Sequence, residues 1–98
     1  MVNFQTTGSQ LRVTFSGRLD TQACKEMGER VEKELGAGAT AVVFDLAQAN
    51  YVCSAFLRIC ISAAKLKGAG FEVANVPPQV MSVFKMAGLD KAFKVSGV

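Results

Sequence analysis

The sequence predicts one α/β domain in which helices pack on a mixed β-sheet. Three observations lead to this expectation: the first residues have the pattern of a β-hairpin, helix and strand patterns alternate after it, and half of the 98 residues are hydrophobic. A chain of this length and composition can bury one core and has no room for a second. We therefore expect a single domain over residues 1–98, with right-handed crossovers between its parallel strands.

The hairpin is predicted in the first sixteen residues. From Gln10 to Ser16 apolar and polar residues alternate, as in a strand that buries one face. Asn3 to Thr7 supplies the other arm. Gly8 and Ser9 between the arms provide the positive φ that a tight hairpin turn requires.

The first helix is predicted after Gly17. Its apolar residues recur every three or four positions and form one stripe, at Cys24, Met27, Val31 and Leu35. Asp20 or Thr21 can cap the N-terminal amides of this helix. Gly36 stands where a left-handed residue would end it.

A strand and a second helix follow. The chain is continuously apolar from Ala41 to Phe44, which is typical of a parallel strand covered on both faces. The strand pattern ends at Asp45-Leu46, and the next helix begins near Ser54. Gly68 and Gly70 end that helix.

The last elements are a strand, a helix and a short edge strand. Phe71 to Val76 has the pattern of a strand, and Pro77-Pro78 stops it and opens a third helix. Gly88 ends this helix, and the tail from Ala92 to Val95 is predicted as an edge strand.

Composition excludes several classes of function. The net charge of +3 comes from scattered basic residues without a basic stripe, and the lone Tyr51 offers no stacking platform, so we expect no nucleic-acid partner. The three cysteines are an odd number with uneven spacing and there is no histidine, so neither a disulfide framework nor a metal site is expected, and we expect no cofactor.

No apolar run reaches about 18 residues, and Met1 to Gln5 lacks the layout of a signal peptide. We expect a cytoplasmic protein that does not insert into membranes.

Three blocks of sequence carry a family resemblance. The residues after the second strand are Gly17-Arg18-Leu19-Asp20, and the run before the second helix is Tyr51-Val52-Cys53-Ser54-Ala55-Phe56-Leu57-Arg58. The closing block is Asn75 to Val80 followed by Val83 to Phe93. Together these blocks resemble the STAS family of the anti-sigma factor antagonist type, over nearly the whole chain.

The resemblance implies a bacterial regulator of transcription and not an enzyme. Such a protein binds an anti-sigma factor that is also a serine kinase and frees a sigma factor, and Ser54 matches the serine that this kinase phosphorylates. We expect a monomer or weak homodimer. The expected partner-binding residues lie at the ends of two strands, and they are Asp20, Thr21, Cys53, Ser54, Ala55, Phe56 and Arg58.

Several of these residues have a second interpretation. Ser54 and Asp20 can each be simple helix caps, and Arg58 can be a solvated arginine instead of a partner for a carboxylate or phosphate. Cys53 stands where many phosphorylated members have aspartate, and Phe56 stands where they have glycine. Phe56 is expected either as an exposed aromatic at the rim of the partner surface or as a ring in the core.

Two other classes of function remain open from the sequence. The chain can be a constitutive interaction or scaffold subunit, for example in a lipid-transport complex, without phosphorylation. A cysteine-dependent phosphatase or sulfurtransferase would use Cys53 as nucleophile and Arg58 as anion ligand. The missing histidine and the lack of glycine in the loop count against this enzyme.

Overall fold

The computed structural model describes residues 2–97. These residues form a five-stranded mixed sheet and three α-helices. The elements in chain order are β1 (Val2–Thr7), β2 (Gln10–Leu19), α1 (Thr21–Leu35), β3 (Ala41–Val52), α2 (Ser54–Lys67), β4 (Phe71–Val76), α3 (Pro78–Met86) and β5 (Lys94–Gly97). The predicted α/β class and the N-terminal hairpin are confirmed. Met1 and Val98, the ends of the predicted domain 1–98, lie outside the described residues.

The strands are arranged in the order β1-β2-β3-β4-β5. β1 is antiparallel to β2, and each later neighbour pair is parallel. Gly8 in the hairpin turn has φ +62°, as the turn requires. Because β2 and β3 are parallel and Leu19 pairs with Val52, the carboxyl ends of these two strands lie side by side.

The core is built on phenylalanine rings that link the helices to the sheet. Phe15 meets both Phe44 and Phe56 edge to face, with ring centroids 5.0 Å apart in each case, and Phe71 meets Phe44 at 4.9 Å. Edge-to-face pairs of this kind add about 0.5–1.5 kcal/mol each beyond the area that they bury. One of these rings, Phe56, belongs to α2 and fixes the start of that helix on the sheet.

β3 is longer than the sequence pattern indicates. The strand pattern was expected to end at Asp45-Leu46, but the strand continues to Val52. Beyond Asp45 its pairing with β2 shifts register, so that Gln48 lies opposite Ser16. The extension is stable because Leu46, Ala49 and Val52 stay buried along it. The exposed residues between them break the apolar run from which the strand was predicted.

The loop after α1 and the start of β5 also differ from the sequence prediction. Gly36 was expected to be left-handed but has φ −81°, and its N–H continues the helical hydrogen bonds by donating to the Glu32 carbonyl. The left-handed glycine of this loop is Gly38, with φ +103°. The last strand was predicted over Ala92 to Val95 but runs from Lys94, because Ala92 and Phe93 close a 3-10 turn on Leu89.

The buried charge of the sheet is Asp45 in β3. Its carboxylate pairs with the Arg12 guanidinium and accepts a hydrogen bond from the Ala47 N–H at 3.0 Å. Burial alone would raise the pKa of Asp45, but the Ala47 amide, Arg12 and Asn75 outweigh it and hold the pKa below the ordinary 3.8. The ionised carboxylate therefore stabilises the folded state.

Stability should accordingly depend on Asp45 at acid pH. A lowered folded-state pKa gives a contribution that is present above the unfolded value of 3.8 and is lost as the pH falls through the lower folded value. Asp45→Asn should lower the free energy of unfolding at pH 7 by about 1–3 kcal/mol. It should also remove part of the stability loss that the wild type shows below pH 3.8.

Urea unfolding at a series of pH values measures both effects. Asp90→Asn, which changes an exposed carboxyl in the turn after α3, is the matched control and should leave stability at pH 7 within about 0.5 kcal/mol. If the free energy of unfolding fell equally with decreasing pH in the wild type and in Asp45→Asn, the Asp45 carboxylate would not stabilise the fold.

Candidate functional site

The candidate site lies where β2 and β3 end and where α1 and α2 begin. Leu19 and Val52 are paired across the two strands, and the next residues on each side open the helices. The first two of the three sequence blocks that carry the family resemblance therefore meet in space, as expected for strand ends at one edge of a parallel sheet. We call this surface the strand-end surface and define it by Asp20, Thr21, Cys53, Ser54, Ala55 and Arg58.

Asp20 is the N-cap of α1. Its Oδ1 accepts a hydrogen bond from the Ala23 N–H at 2.9 Å, and its Oδ2 lies 3.6 Å from Nε of Arg18. The capping interpretation of Asp20 is therefore confirmed, whereas Thr21 is the first helical residue and not the cap. Thr21 is exposed, and its hydroxyl points across to α2, with Oγ1 4.0 Å from Sγ of Cys53.

Ser54 is the first residue of α2, and the N-cap is Cys53. The alternative that Ser54 caps this helix is therefore wrong, because the residue with extended backbone, φ −121° and ψ 176°, is the one before it. Ser54 is exposed. A negative charge placed there would be stabilised by the unpaired amides and the dipole of the helix.

Cys53 combines partial exposure with a polar environment. Its side chain makes no regular capping hydrogen bond. Burial alone would raise the pKa of its thiol, but the nearby N–H groups of Phe56 and Ala55 and the hydroxyl of Thr21 outweigh burial and lower the pKa from its ordinary value. A cysteine with a lowered pKa is ionised to a greater extent at neutral pH, and because the thiolate is the nucleophile, this makes the cysteine more reactive.

Phe56 is not exposed at the rim of this surface. Its side chain is 0% exposed, and its ring packs on Phe15 with the centroids 5.0 Å apart. The expectation of an exposed aromatic anchor is wrong because a helix that begins at Ser54 turns position 56 onto the sheet, in line with Cys60 and Ala63. Phe56 thus belongs to the core, and a partner cannot contact its ring directly.

A groove between α1 and α2 extends the strand-end surface. It has a volume of about 320 Å³, and its lining contains two basic residues and no acidic one: Thr21, Cys24, Lys25, Gly28, Ala55, Arg58 and Ile59. Thr21, Ala55 and Arg58 all line it, so three of the expected partner-binding residues share one shallow groove. The positive lining favours an acidic partner segment or a phosphate.

Sequence reasoning missed a second exposed feature beside the site. The Arg18 guanidinium lies over the ring of Tyr51, 4.0 Å from its centroid, and Tyr51 is 39% exposed. Tyr51 also lines a groove of about 190 Å³ between the end of β3 and α3, together with Gln79 and Val83. No local pattern in the sequence signals this contact, because Arg18 and Tyr51 are brought together only by the pairing of β2 with β3.

Residues 2–97 contain no group of three or more histidine, cysteine, aspartate or glutamate side chains that could hold a metal ion. Among the same residues, no helix is long and apolar enough to cross a membrane.

The family model described as the Mlab, STAS domain matches residues 2–96. An anti-sigma factor antagonist from Mycobacterium paratuberculosis is 21% identical with a TM-score of 0.90, and the match covers 100% of this chain and 86% of that one. The anti-sigma factor antagonist SpoIIAA in its unphosphorylated form is 18% identical with a TM-score of 0.82, covering 97% and 87%. SpoIIAA of Bacillus in its phosphorylated form is 17% identical with a TM-score of 0.74, covering 97% and 90%. No curated protein sequence matches the chain significantly.

Proposed function

Because the chain belongs to the STAS domain family, we propose that it is an anti-sigma factor antagonist. In this proposal it binds an anti-sigma factor that is also a serine kinase and so frees a sigma factor in the cytoplasm of a bacterium. It acts by binding and not by catalysis. The observation that carries the proposal is the exposed Ser54 on the first turn of α2, beside a groove with a positive lining.

The strand-end surface suits a protein partner. Thr21, Ser54 and Arg58 are exposed on two helices that begin side by side, and a shallow groove adjoins them. Lys25 and Arg58 contribute positive charge from opposite helices. An acidic segment of the partner would gain hydrogen bonds and charge complementarity there, which favours fast association with the correct partner.

Phosphorylation of Ser54 would act as a switch in this proposal. A phosphate adds about 1.5 to 2 negative charges at pH 7. The helix N-terminus would stabilise that charge, and Arg58 lies one turn further along the same helix, where a side chain can reach it. The phosphate would then lie beside the positive groove and repel an acidic partner. One structural relative, SpoIIAA, is known in both the phosphorylated and the unphosphorylated form.

A second candidate function is a constitutive binding subunit, for example in a lipid-transport complex. The specific observations in its favour are the Mlab description of the matching family model and the cysteine at position 53, where many phosphorylated members have aspartate. In this case the same surface binds its partner and Ser54 is not modified.

Capture of partners from cells that make the protein distinguishes these candidates. We expect the immobilised chain to retain an anti-sigma factor kinase and a Thr21→Asp, Arg58→Glu variant, altered only on exposed residues, to lose it. Recovery of membrane transport components that depend on the same two residues would instead support the second candidate. If the wild type and the variant retained the same proteins, the strand-end surface would not be the partner-binding surface.

A further inference from the structure

Two cysteines meet where α1 and α2 begin. Val52 pairs with Leu19, so Cys53 follows directly beside the start of α1, and the Cys24 N–H bonds the Asp20 carbonyl at 3.0 Å one turn into that helix. The hydroxyl of Thr21 reaches Cys53 from the same turn. Cys24 lies one turn after Thr21 in α1, and Thr21, Cys24 and Ala55 line the same groove between the two helices. The Cys24 and Cys53 side chains therefore meet at one junction, close enough for their thiols to interact electrostatically.

The two thiols differ in access and acidity. Cys53 is partly exposed, whereas Cys24 is buried but contributes to the lining of the groove between the helices. Burial, and then the neighbouring Cys53 sulfur, raise the pKa of Cys24 to about 11, in contrast to the lowered pKa of Cys53. The third cysteine, Cys60, is fully buried on the inner side of α2. An oxidant that arrives from solvent should therefore react first at Cys53.

We propose that Cys53 is a site of reversible oxidation by hydroperoxides and that Cys24 is the thiol that resolves it into a disulfide. The Cys53 thiolate attacks the outer oxygen of the hydroperoxide, the O–O bond breaks, and the alkoxide takes up a proton and leaves as an alcohol, or as water when the oxidant is hydrogen peroxide. Cys53 is then a sulfenic acid. The Cys24 sulfur attacks this sulfur, the S–O bond breaks, and the hydroxyl leaves with the Cys24 proton as water. Two thiols lose two electrons, and the peroxide gains them.

The disulfide would tie the first turn of α1 to the residue that caps α2. Cys53 belongs to the strand-end surface, and Cys24 lies one turn after Thr21, another residue of that surface, in α1. A dithiol such as dithiothreitol should reverse the bond by exchange. The chemistry involves this chain alone, so it does not depend on the identity of any partner.

Trypsin makes the test direct, because it separates the three cysteines. Cleavage after lysine and arginine places Cys24 in peptide 19–25, Cys53 in peptide 34–58 and Cys60 in peptide 59–65. The folded wild-type protein is treated with equimolar hydrogen peroxide, blocked with iodoacetamide and digested without reductant. We expect mass spectrometry to find peptides 19–25 and 34–58 joined, with two hydrogens fewer than their sum, and to find them separate after dithiothreitol.

Two variants serve as controls. In Cys24→Ala the joined peptide should be absent and Cys53 should be captured by dimedone as a sulfenic acid, whereas Cys60→Ala should still form the joined peptide. Before oxidation, iodoacetamide should alkylate Cys53 about tenfold faster than Cys24 at pH 7. Oxidation of Cys24 ahead of Cys53, a disulfide that joins two copies of the chain, or three thiols that stay reduced under these conditions would each overturn the proposal.

Discussion

Replacing Phe56 with alanine is expected to lower the free energy of unfolding by about 3–5 kcal/mol, the cost of truncating a buried phenylalanine. The ring is fully buried, and it contacts Phe15 edge to face while lying 6.3 Å from the centroid of Phe44. Its removal loses these contacts and leaves a void between α2 and the sheet. Phe56→Gly, which restores the family pattern, should cost still more, because glycine also weakens a helix by about 1 kcal/mol.

Chemical denaturation of matched variants measures this effect. Leu66→Ala is the control, since Leu66 is a large apolar residue of the same helix with 59% exposure, and its loss should change stability by about 0.5 kcal/mol or less. Phe56→Leu, which keeps most of the volume, should cost less than Phe56→Ala. A Phe56→Ala variant as stable as Leu66→Ala would contradict the burial of the ring.

Replacing Ser54 with aspartate is expected to weaken binding of the proposed anti-sigma factor partner by about tenfold or more, which corresponds to about 1.4 kcal/mol. The substitution places a permanent negative charge where phosphorylation would add one, at the exposed start of α2. Ser54→Ala leaves the surface neutral and should bind as the wild type does. Because Cys53 and not Ser54 is the cap, Ser54→Ala should change the free energy of unfolding by no more than about 0.5 kcal/mol. Ser54→Asp should raise it by about 0.3–1 kcal/mol, because the added charge meets the amides at the N-terminus of α2.

Calorimetry with the captured partner measures the affinity of each variant, and thermal unfolding measures its stability, so the two effects can be separated. Ser62→Asp is the matched control, because it adds the same charge to an exposed serine of α2 two turns further from the site. It should leave the affinity unchanged. Equal weakening by both aspartate variants would mean that net charge, and not the position of Ser54, controls binding.

Local patterns predicted most of the architecture. The alternation from Gln10 to Ser16 and the stripe that begins at Cys24 report which face of each element is buried, and the structure confirms both elements. Asp20 was one of two candidates for the cap of α1, and the hydrogen bond from Ala23 identifies it. These features depend on neighbours within a few residues, so the sequence alone carries them.

The features that the sequence did not predict depend on distant parts of the chain. Phe56 is buried because Phe15 and Phe44 lie beneath it, and no local pattern shows which residues meet across a sheet. The position of the cap of α2 follows from where β3 ends, and β3 extends past the apolar run because β2 continues to pair with it. The proximity of Cys24 and Cys53 likewise arises from the pairing of β2 with β3.

Release of a sigma factor from its anti-sigma factor tests the proposed function most directly. The preformed complex of the captured kinase with its sigma factor is titrated with the wild-type chain, with Ser54→Ala and with Ser54→Asp, and free sigma factor is measured. We expect the wild type and Ser54→Ala to release sigma factor at similar concentrations, and Ser54→Asp to need about ten times more. If the wild-type chain binds the complex and leaves the sigma factor in place, the protein is not an antagonist of that anti-sigma factor.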